Sequence, residues 1–158
     1  MKLSRGQIVV GYVVQELVFE GGMVTIYRVQ HLKLGTLHAL KILQTKYNEV
    51  PAIRREWLTQ MHQLAELRHP QLVCISDVLS KVGMSGIIMD WMDGETLQDH
   101  LRRVGGVDVE SAVGWARQLL SALAVLHERS LCHLEVNPAN VFLESGGGGE
   151  KEAMLMDY

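Results

Sequence analysis

The sequence predicts an α+β fold, in which a small antiparallel sheet with one helix is followed by a mainly helical part. Residues 12–43 are rich in β-branched and aromatic residues punctuated by glycine, which is typical of a three-stranded meander. Two later stretches, 51–67 and 108–129, repeat apolar residues at helical spacing. With 158 residues, 47% of them hydrophobic, the chain is long enough to bury one sizeable core.

The first half of the chain supplies the sheet. Runs of β-branched and apolar residues predict five strands, at 12–14, 24–29, 36–43, 72–79 and 85–90. Pro51 opens the single helix at a first-turn position that tolerates proline. Apolar residues then repeat at helical spacing to Leu67, and His69-Pro70 is expected to end the helix. Residues 1–11 are expected to be a short leader.

The second half is mainly helical. A short helix is expected at 95–104, and Asp108 is a suitable N-cap for a long helix to about Arg129. The buried face of that helix is expected to carry seven apolar residues, Val109, Val113, Ala116, Leu119, Leu120, Leu123 and Leu126. Strands at 141–143 and 153–156 follow, and the glycine tract 146–149 between them is expected to be a flexible connection.

Composition narrows the function classes. The formal net charge is −3 and basic residues are scattered, so a nucleic-acid surface is not expected. No apolar run is long enough to span a bilayer, and the amino terminus lacks a clear signal peptide. Cys74 and Cys132 lack metal-ligand spacing and are expected to be reduced core residues. A cytoplasmic protein, or the cytoplasmic part of a longer one, is therefore expected.

The loop 133–140, with the sequence His-Leu-Glu-Val-Asn-Pro-Ala-Asn, is the candidate for chemistry. It places polar side chains between a long helix and a strand, and loops carry a large share of functional residues. The loop resembles the protein kinase motif H-R-D-x-K-P-x-N, which is followed by D-F-G. The matching positions are His133, Pro138, Asn140 and Asp157. The departures are Leu134 for arginine, Glu135 for aspartate, Asn137 for lysine and Tyr158 for phenylalanine.

The resemblance covers residues 12–158 and is closest to bacterial Ser/Thr protein kinases. The stretches that carry it are Arg54-Arg55-Glu56, His69-Pro70, Met92-Asp93-Gly94-Glu95-Thr96-Leu97 and Asn137-Pro138-Ala139-Asn140. It implies a kinase-like amino-terminal lobe at 12–92, with a five-stranded antiparallel sheet and one helix. A mainly helical carboxy-terminal lobe at 93–158 is then truncated at the D-F-G position. Without the later kinase helices, the helix after Asp108 is expected to expose apolar surface that suits a protein partner.

Lys41 is the candidate for phosphate contact. In an extended strand it shares one face with Leu37 and Ala39, where a charged side chain needs an anionic partner. Glu56 lies three residues after Ile53 on the helix, near its inward face. The resemblance implies that Glu56 holds Lys41 against the α- and β-phosphates of ATP. Charge alone favours an exposed lysine and a solvated glutamate, whereas Ala39 beside Lys41 and the His69-Pro70 pair at kinase spacing favour the functional pair.

The glycine loop is incomplete. Of the three glycine positions in the kinase pattern, only Gly21 is retained, while Phe19 and Val24 occupy the other two. Small residues in this loop let backbone amides approach phosphate, so larger ones weaken that contact. The segment therefore fits either a weakened phosphate cover or an ordinary β-turn.

The resemblance also assigns an adenine site. It implies that Ile26 and Ala39 cover the adenine ring and that Met89 guards the back pocket. The backbone of Asp90 and Met92 would meet the adenine edge. An apolar strand that ends in an Asp-Gly turn is also common in proteins without a nucleotide site.

Asn140 and Asp157 occupy the two positions that hold Mg²⁺ in kinases, and oxygen ligands suit this cation. Glu135 occupies the position of the catalytic base, which accepts the proton of the substrate hydroxyl. Glutamate is longer than aspartate by one methylene, which displaces the acceptor by about 1 Å and costs roughly 100-fold in rate. Asn137 removes a charge that steadies the transferring phosphoryl group, a loss worth on the order of 100- to 1000-fold. His133 is expected to be structural.

The sequence therefore predicts a protein-kinase-like domain that binds ATP and Mg²⁺ and is a pseudokinase or a strongly impaired Ser/Thr kinase. One alternative is an active Ser/Thr kinase whose remaining lobe lies beyond residue 158. A second alternative is a protein-interaction module that binds no nucleotide, which Phe19 and Val24 in the glycine loop favour.

Overall fold

A computed structural model of the chain describes residues 2–145 and 151–156 and confirms the α+β class. These residues form two compact units. The first comprises residues 2–66 and 74–91, and the second comprises residues 67–73, 92–145 and 151–156. The glycine tract 146–149, Asp157 and Tyr158 lie outside the described residues.

The first unit is built on a six-stranded antiparallel sheet in the order β1-β2-β3-β4-β6-β5. Its strands are β1 Ile8–Val9, β2 Tyr12–Glu20, β3 Val24–His31, β4 Leu37–Leu43, β5 Ile75–Lys81 and β6 Met84–Asp90. Five of these strands were expected from the sequence. Strand β3 alternates buried and half-buried side chains, as the two-residue period of a strand predicts, whereas β6 is buried at every position from Met84 to Ile88.

The sixth strand comes from the segment that was expected to be a leader. Strand β1 pairs with β2, and Leu3 and Val9 are buried in the same apolar cluster as Leu40. The Leu3 N–H donates to the buried Tyr27 hydroxyl at 3.0 Å. The leader prediction is therefore wrong for residues 3–9, because their few apolar side chains complete one face of the sheet.

Two helices accompany this sheet, α1 Thr45–Asn48 and α2 Pro51–Ala65. Helix α2 begins at Pro51 as predicted and buries Trp57, Met61 and Leu64. It ends at Ala65, four residues before the predicted stop at His69-Pro70. Segment 67–73 belongs to the second unit, where Gln71 accepts a backbone hydrogen bond from Leu155 at 2.8 Å. The periodicity predicted too long a helix because Leu67 is buried as well, but in the other unit.

The second unit contains a small antiparallel sheet in the order β7-β8-β9 with two helices. The elements are β7 Gly94–Thr96, α3 Leu97–Val104, α4 Val109–Glu128, a 3₁₀ turn at Pro138–Asn140, β8 Val141–Ser145 and β9 Lys151–Leu155. Asp108 caps α4 as predicted, since its carboxylate accepts the Ser111 N–H at 2.8 Å. Gly94 packs so closely on β8 that a Cβ there would lie 2.0 Å from the Leu143 carbonyl oxygen.

The buried face predicted for α4 is largely wrong. Val109, Val113 and Leu120 are 79%, 45% and 65% exposed, and Ala116 is exposed too. The residues that α4 directs at the rest of the unit include Leu126 of the predicted set but are otherwise different and partly polar. They are Trp115 and Gln118, which bond to the backbone of Lys151 and Ala153 at 2.9 and 2.8 Å, and buried Ala122 and Leu126. The apolar periodicity correctly indicated an apolar stripe on α4. The side of the helix that meets the sheet is instead set by the hydrogen bonds of Trp115 and Gln118 to β9.

The two cysteines are free thiols. Cys74 is partly buried and Cys132 is exposed. The prediction that both cysteines lie in the core is therefore wrong for Cys132, and Cys74 is not fully buried. Within the described ranges 2–145 and 151–156, no helix is long and apolar enough to cross a membrane.

Candidate functional site

In the first unit, the residues assigned to nucleotide binding lie on one face of three neighbouring strands. Lys41 on β4 is in register with Ile26 on β3 and Ile87 on β6. Two positions along β4, Ala39 is in register with Met89 on β6. Because residues two apart in a strand point to the same face, the structure brings Ile26, Ala39, Lys41 and Met89 together. The alternation that singled out Lys41 in the sequence is thus present in the sheet.

The other face of the same strands is the core. Tyr27, Leu40 and Ile88 alternate with the nucleotide face and are at most 1% exposed. Ala39 is buried, and Lys41 is half-buried. The lysine amine therefore stands on the side of the sheet away from the apolar cluster.

The ion pair predicted between Lys41 and Glu56 is not formed. Glu56 is exposed on α2 and makes no hydrogen bond or ion pair with any residue in the described part of the chain. The buried side of α2 is centred on Trp57 and Met61, and the carboxylate points away from it. The prediction took Ile53 as the centre of the inward face, but Ile53 is only half-buried.

Arg54 is the polar residue that α2 directs at the sheet. Its Nε donates to the Ser85 hydroxyl and its Nη2 donates to the Ser80 hydroxyl, both at 3.2 Å. Ser85 is fully buried on β6, so this bond also satisfies a buried polar group. Sequence reasoning missed Arg54, because the phase of a helix relative to a sheet is set by packing.

The glycine segment is a tight turn between β2 and β3. The Gly21 N–H donates to the Val24 carbonyl at 3.0 Å, and the Gly21 carbonyl accepts from the Gln44 side chain. A Cβ on Gly21 would lie 2.5 Å from a ring carbon of Phe19, so the aromatic ring covers the glycine. The Gly21 N–H is thus already bonded across the connection between β2 and β3.

The strand that would meet adenine ends at Asp90. Asp90 is exposed, and its N–H donates to the Cys74 carbonyl at 3.0 Å. Trp91 follows, with the Arg28 guanidinium 5.6 Å above its ring centre. Arg28 also pairs with Glu16 at 3.1 Å. Met92 begins the second unit and is half-buried.

In the second unit, His133 fixes the start of the 133–140 loop. It is 7% exposed, and its Nε2 donates to the Met156 carbonyl at 2.7 Å. Its Nδ1 accepts the Glu135 N–H at 3.3 Å, which sets the tautomer with the proton on Nε2. These bonds support the structural role predicted for His133. Leu134, between them, has φ of 65° and is 89% exposed.

Asn140 closes the loop. Its Nδ2 donates to the Glu135 carbonyl at 3.0 Å, and its own carbonyl accepts the Met156 N–H at 2.9 Å. Met156, the last described residue, is therefore bonded to Asn140. Asp157, the second predicted Mg²⁺ ligand, lies outside the described residues. Among the residues with described positions, no cluster of three His, Cys, Asp or Glu side chains suits a metal ion.

Asn137 is the loop residue whose role sequence reasoning missed. Its Oδ1 accepts the N–H groups of Ala139 and Asn140 at 2.9 and 3.2 Å and thereby caps the 3₁₀ turn. Its Nδ2 donates to the Glu135 carbonyl at 3.1 Å. The signal was present in the sequence, because an asparagine directly before proline at the start of a helical turn is a typical cap.

An ion cluster next to these elements was also missed. The Glu95 carboxylate on β7 contacts Arg103, Lys151 and His100, and these hydrogen bonds hold its pKa well below the ordinary value. The cluster joins β7 and α3, which are adjacent in the sequence, to β9, which is distant from both. Such a long-range network has no local sequence pattern.

The first unit carries Ile26, Ala39, Lys41 and Met89 on one face of its sheet, here called the Lys41 face, and the second unit carries the 133–140 loop. Together these features place the chain in the protein kinase class. Known proteins agree with this assignment. The protein kinase domain family matches residues 12–158, so the chain belongs to that family and the predicted membership is confirmed.

Bacterial Ser/Thr kinases are among the relatives found. Serine/threonine-protein kinase PknJ of Mycobacterium tuberculosis is 27% identical over 157 residues, which are 99% of this chain and 26% of that protein. PknI of the same organism is 30% identical over 160 residues, covering 100% of this chain and 27% of that protein. A crystal structure of the PknI kinase domain matches with a TM-score of 0.84 at 29% identity, covering 99% of this chain and 61% of that one. The chain spans about a quarter of these relatives' length.

Proposed function

We propose that the chain is a cytoplasmic protein-kinase-like domain that binds ATP with Mg²⁺ and transfers the γ-phosphate poorly or not at all. The observation that carries the proposal is the shared face of Ile26, Ala39, Lys41 and Met89 on three registered strands. A cation beside small and apolar side chains suits a nucleotide, whose base is flat and apolar and whose phosphates are anionic. Asn140, with Asp157, is proposed to hold Mg²⁺.

Four features support impaired transfer. Glu56 is exposed and unpaired among the described residues, so the glutamate that holds the strand lysine against phosphate in kinases does not contact Lys41 here. Both backbone groups of Gly21 are bonded, and Phe19 covers it. Asn137 is a neutral cap in place of a lysine, and Glu135 carries its carboxylate one methylene further out than aspartate does. The chain thus keeps a binding face but lacks several groups that stabilise a transferring phosphoryl group.

A thermal-shift titration with Mg·ATP tests nucleotide binding. At 100 times the dissociation constant, ligand binding stabilises the folded state by about 2.7 kcal/mol and raises Tm by roughly 5–10 °C for a domain of this size. Lys41→Ala is expected to remove most of this rise, whereas the matched control Lys81→Ala, at the exposed end of β5, is expected to keep it. Equal shifts in all three proteins would contradict a role for Lys41.

The first alternative is an active Ser/Thr kinase with Glu135 as a working base. It is favoured by the exposed Glu135 carboxylate and by the relatives, which are named as Ser/Thr kinases. The discriminating measurement is γ-phosphate transfer to Ser/Thr peptides by the full-length gene product. A rate in the ordinary range of about 1–100 s⁻¹ that Glu135→Ala abolishes would replace the impaired-kinase proposal with this one.

The second alternative is a protein-interaction module without nucleotide. It is favoured by the Phe19 ring over Gly21 and by the exposed apolar side of α4, which carries Val109, Val113 and Leu120. This side is proposed to bind a protein partner. No Tm change at millimolar Mg·ATP would favour the module. Loss of partner binding in Leu120→Asp, with binding kept in Arg117→Asp, would locate the interaction on the apolar side.

A further inference from the structure

The 133–140 loop holds the main chain of Glu135 from both directions. Its N–H is bonded to His133, and its carbonyl accepts from both Asn137 and Asn140, which uses both carbonyl lone pairs. The Glu135 carboxylate, by contrast, is exposed and makes no hydrogen bond or ion pair with any residue whose position the structure describes. The loop therefore fixes the backbone at residue 135 and leaves the acid group available.

The main-chain conformation next to Glu135 includes a strained residue. Leu134 is in the left-handed region with φ of 65°, which is unfavourable for a residue with a Cβ. Its side chain is 89% exposed and offers little packing to offset the strain. The bonds made by His133 and Glu135 on either side of Leu134 are therefore what holds this conformation.

Asn137 joins the two parts of the loop with one side chain. The Oδ1 end caps the turn that carries Asn140, and the Nδ2 end holds the Glu135 carbonyl. Both ends are needed for this arrangement, since one accepts and the other donates. A lysine has three donors and no acceptor, so the residue that kinases carry here could not accept the N–H groups of Ala139 and Asn140.

We propose that Asn137 is a positioning residue: in this chain, position 137 acts on Glu135 through the main chain instead of contacting phosphate. Restoring lysine would therefore remove the cap while adding the charge. The functional meaning of this inference rests on the role proposed for Glu135, but the arrangement itself can be tested without nucleotide.

The test separates the two ends of the side chain by NMR on the whole 158-residue chain. The reporters are the exchange rate of the Ala139 amide hydrogen, whose bond is to Asn137 Oδ1, and the ¹³C shift of the Glu135 carbonyl. Asn137→Ala is expected to accelerate exchange about tenfold, the effect of losing one hydrogen bond, and to move the carbonyl shift. Asn137→Asp keeps the acceptor and loses the donor, so it is expected to keep the slow exchange but move the carbonyl shift.

Two further variants complete the design. Ala139 in Asn137→Lys is expected to exchange as fast as in Asn137→Ala, and the neighbouring control Val136→Ala is expected to keep the Ala139 exchange rate within twofold of that of the unmodified chain. Unchanged reporters in Asn137→Ala, or slow Ala139 exchange in Asn137→Lys, would overturn the proposal. If Asn137→Ala does not fold, the Asp and Lys variants still decide the result. Absence of any Mg·ATP binding by the unmodified chain would remove the proposed function and leave the exchange result standing.

Discussion

The Lys41 face of the first unit and the 133–140 loop of the second unit depart from a kinase in opposite ways. In the first, Lys41, Glu56 and Gly21 match the family in residue type, but Glu56 is unpaired among described residues and the Gly21 N–H is bonded to a neighbouring carbonyl. In the second, three residue types differ, yet the loop is fully hydrogen-bonded around Glu135. The residue types at motif positions and the contacts that those residues make are thus separate properties, and either can be retained when the other is lost.

The largest expected effect tests how far the second unit depends on the close main-chain packing of β7 on β8. Gly94→Ala places a Cβ 2.0 Å from the Leu143 carbonyl oxygen, so β7 cannot keep its place on β8. We expect a loss of about 3 kcal/mol or more in the free energy of unfolding, measured by urea titration. Gly106→Ala, where a Cβ meets nothing within 4 Å, is the control. Equal stability of the two variants would contradict the close approach.

The next effect tests the hydrogen bonding of the loop. His133→Ala removes a buried ring, its bond to the Met156 carbonyl and the acceptor of the Glu135 N–H. We expect a loss of about 2–3 kcal/mol in the free energy of unfolding. The exposed His127→Ala on α4 is expected to change it by less than about 0.5 kcal/mol. If both variants unfold at the same urea concentration, the loop does not depend on His133.

A pH dependence sharpens the comparison by isolating the ion cluster of the second unit. The pKa of Glu95 is lowered in the folded state by Arg103, Lys151 and His100, so the carboxylate stabilises the fold above the unfolded pKa of about 4.3. That contribution is lost as pH falls below this value. We expect Glu95→Gln to be less stable than the unmodified chain at pH 7 and the difference to shrink toward pH 3. Urea midpoints at each pH measure it, with exposed Glu128→Gln as the control. A difference independent of pH would exclude the carboxylate as its origin.

The smallest effect concerns α2. Arg54→Ala removes two hydrogen bonds to the sheet and is expected to lower the free energy of unfolding by about 1 kcal/mol. Glu56→Ala, two residues away and exposed, is expected to change it by less than about 0.5 kcal/mol. The reverse order, measured by the same urea titration, would show that Glu56 rather than Arg54 docks the helix.

The sequence was informative where a signal is local. Strand alternation predicted the common face of Ala39 and Lys41, and the start of α2 at Pro51 and the cap at Asp108 followed from their preferred positions. What failed depends on packing between distant segments. The phase of α2 relative to the sheet determines whether Glu56 or Arg54 points inward. The side of α4 that meets β9 is likewise chosen by Trp115 and Gln118, which bond to backbone that is distant in sequence.

The Phe19 ring over Gly21 has a consequence for how the proposed nucleotide would bind. A ligand that needs the Gly21 backbone can bind only the fraction of molecules in which the ring has swung away. Its apparent dissociation constant is the intrinsic constant divided by that fraction. Phe19 is 52% exposed, and exposed side chains change rotamer in picoseconds to nanoseconds, so the ring exchanges quickly and lowers the apparent association rate constant and the affinity by the same factor. Phe19→Ala would then tighten Mg·ATP binding through a larger competent population, with no new contact to the ligand.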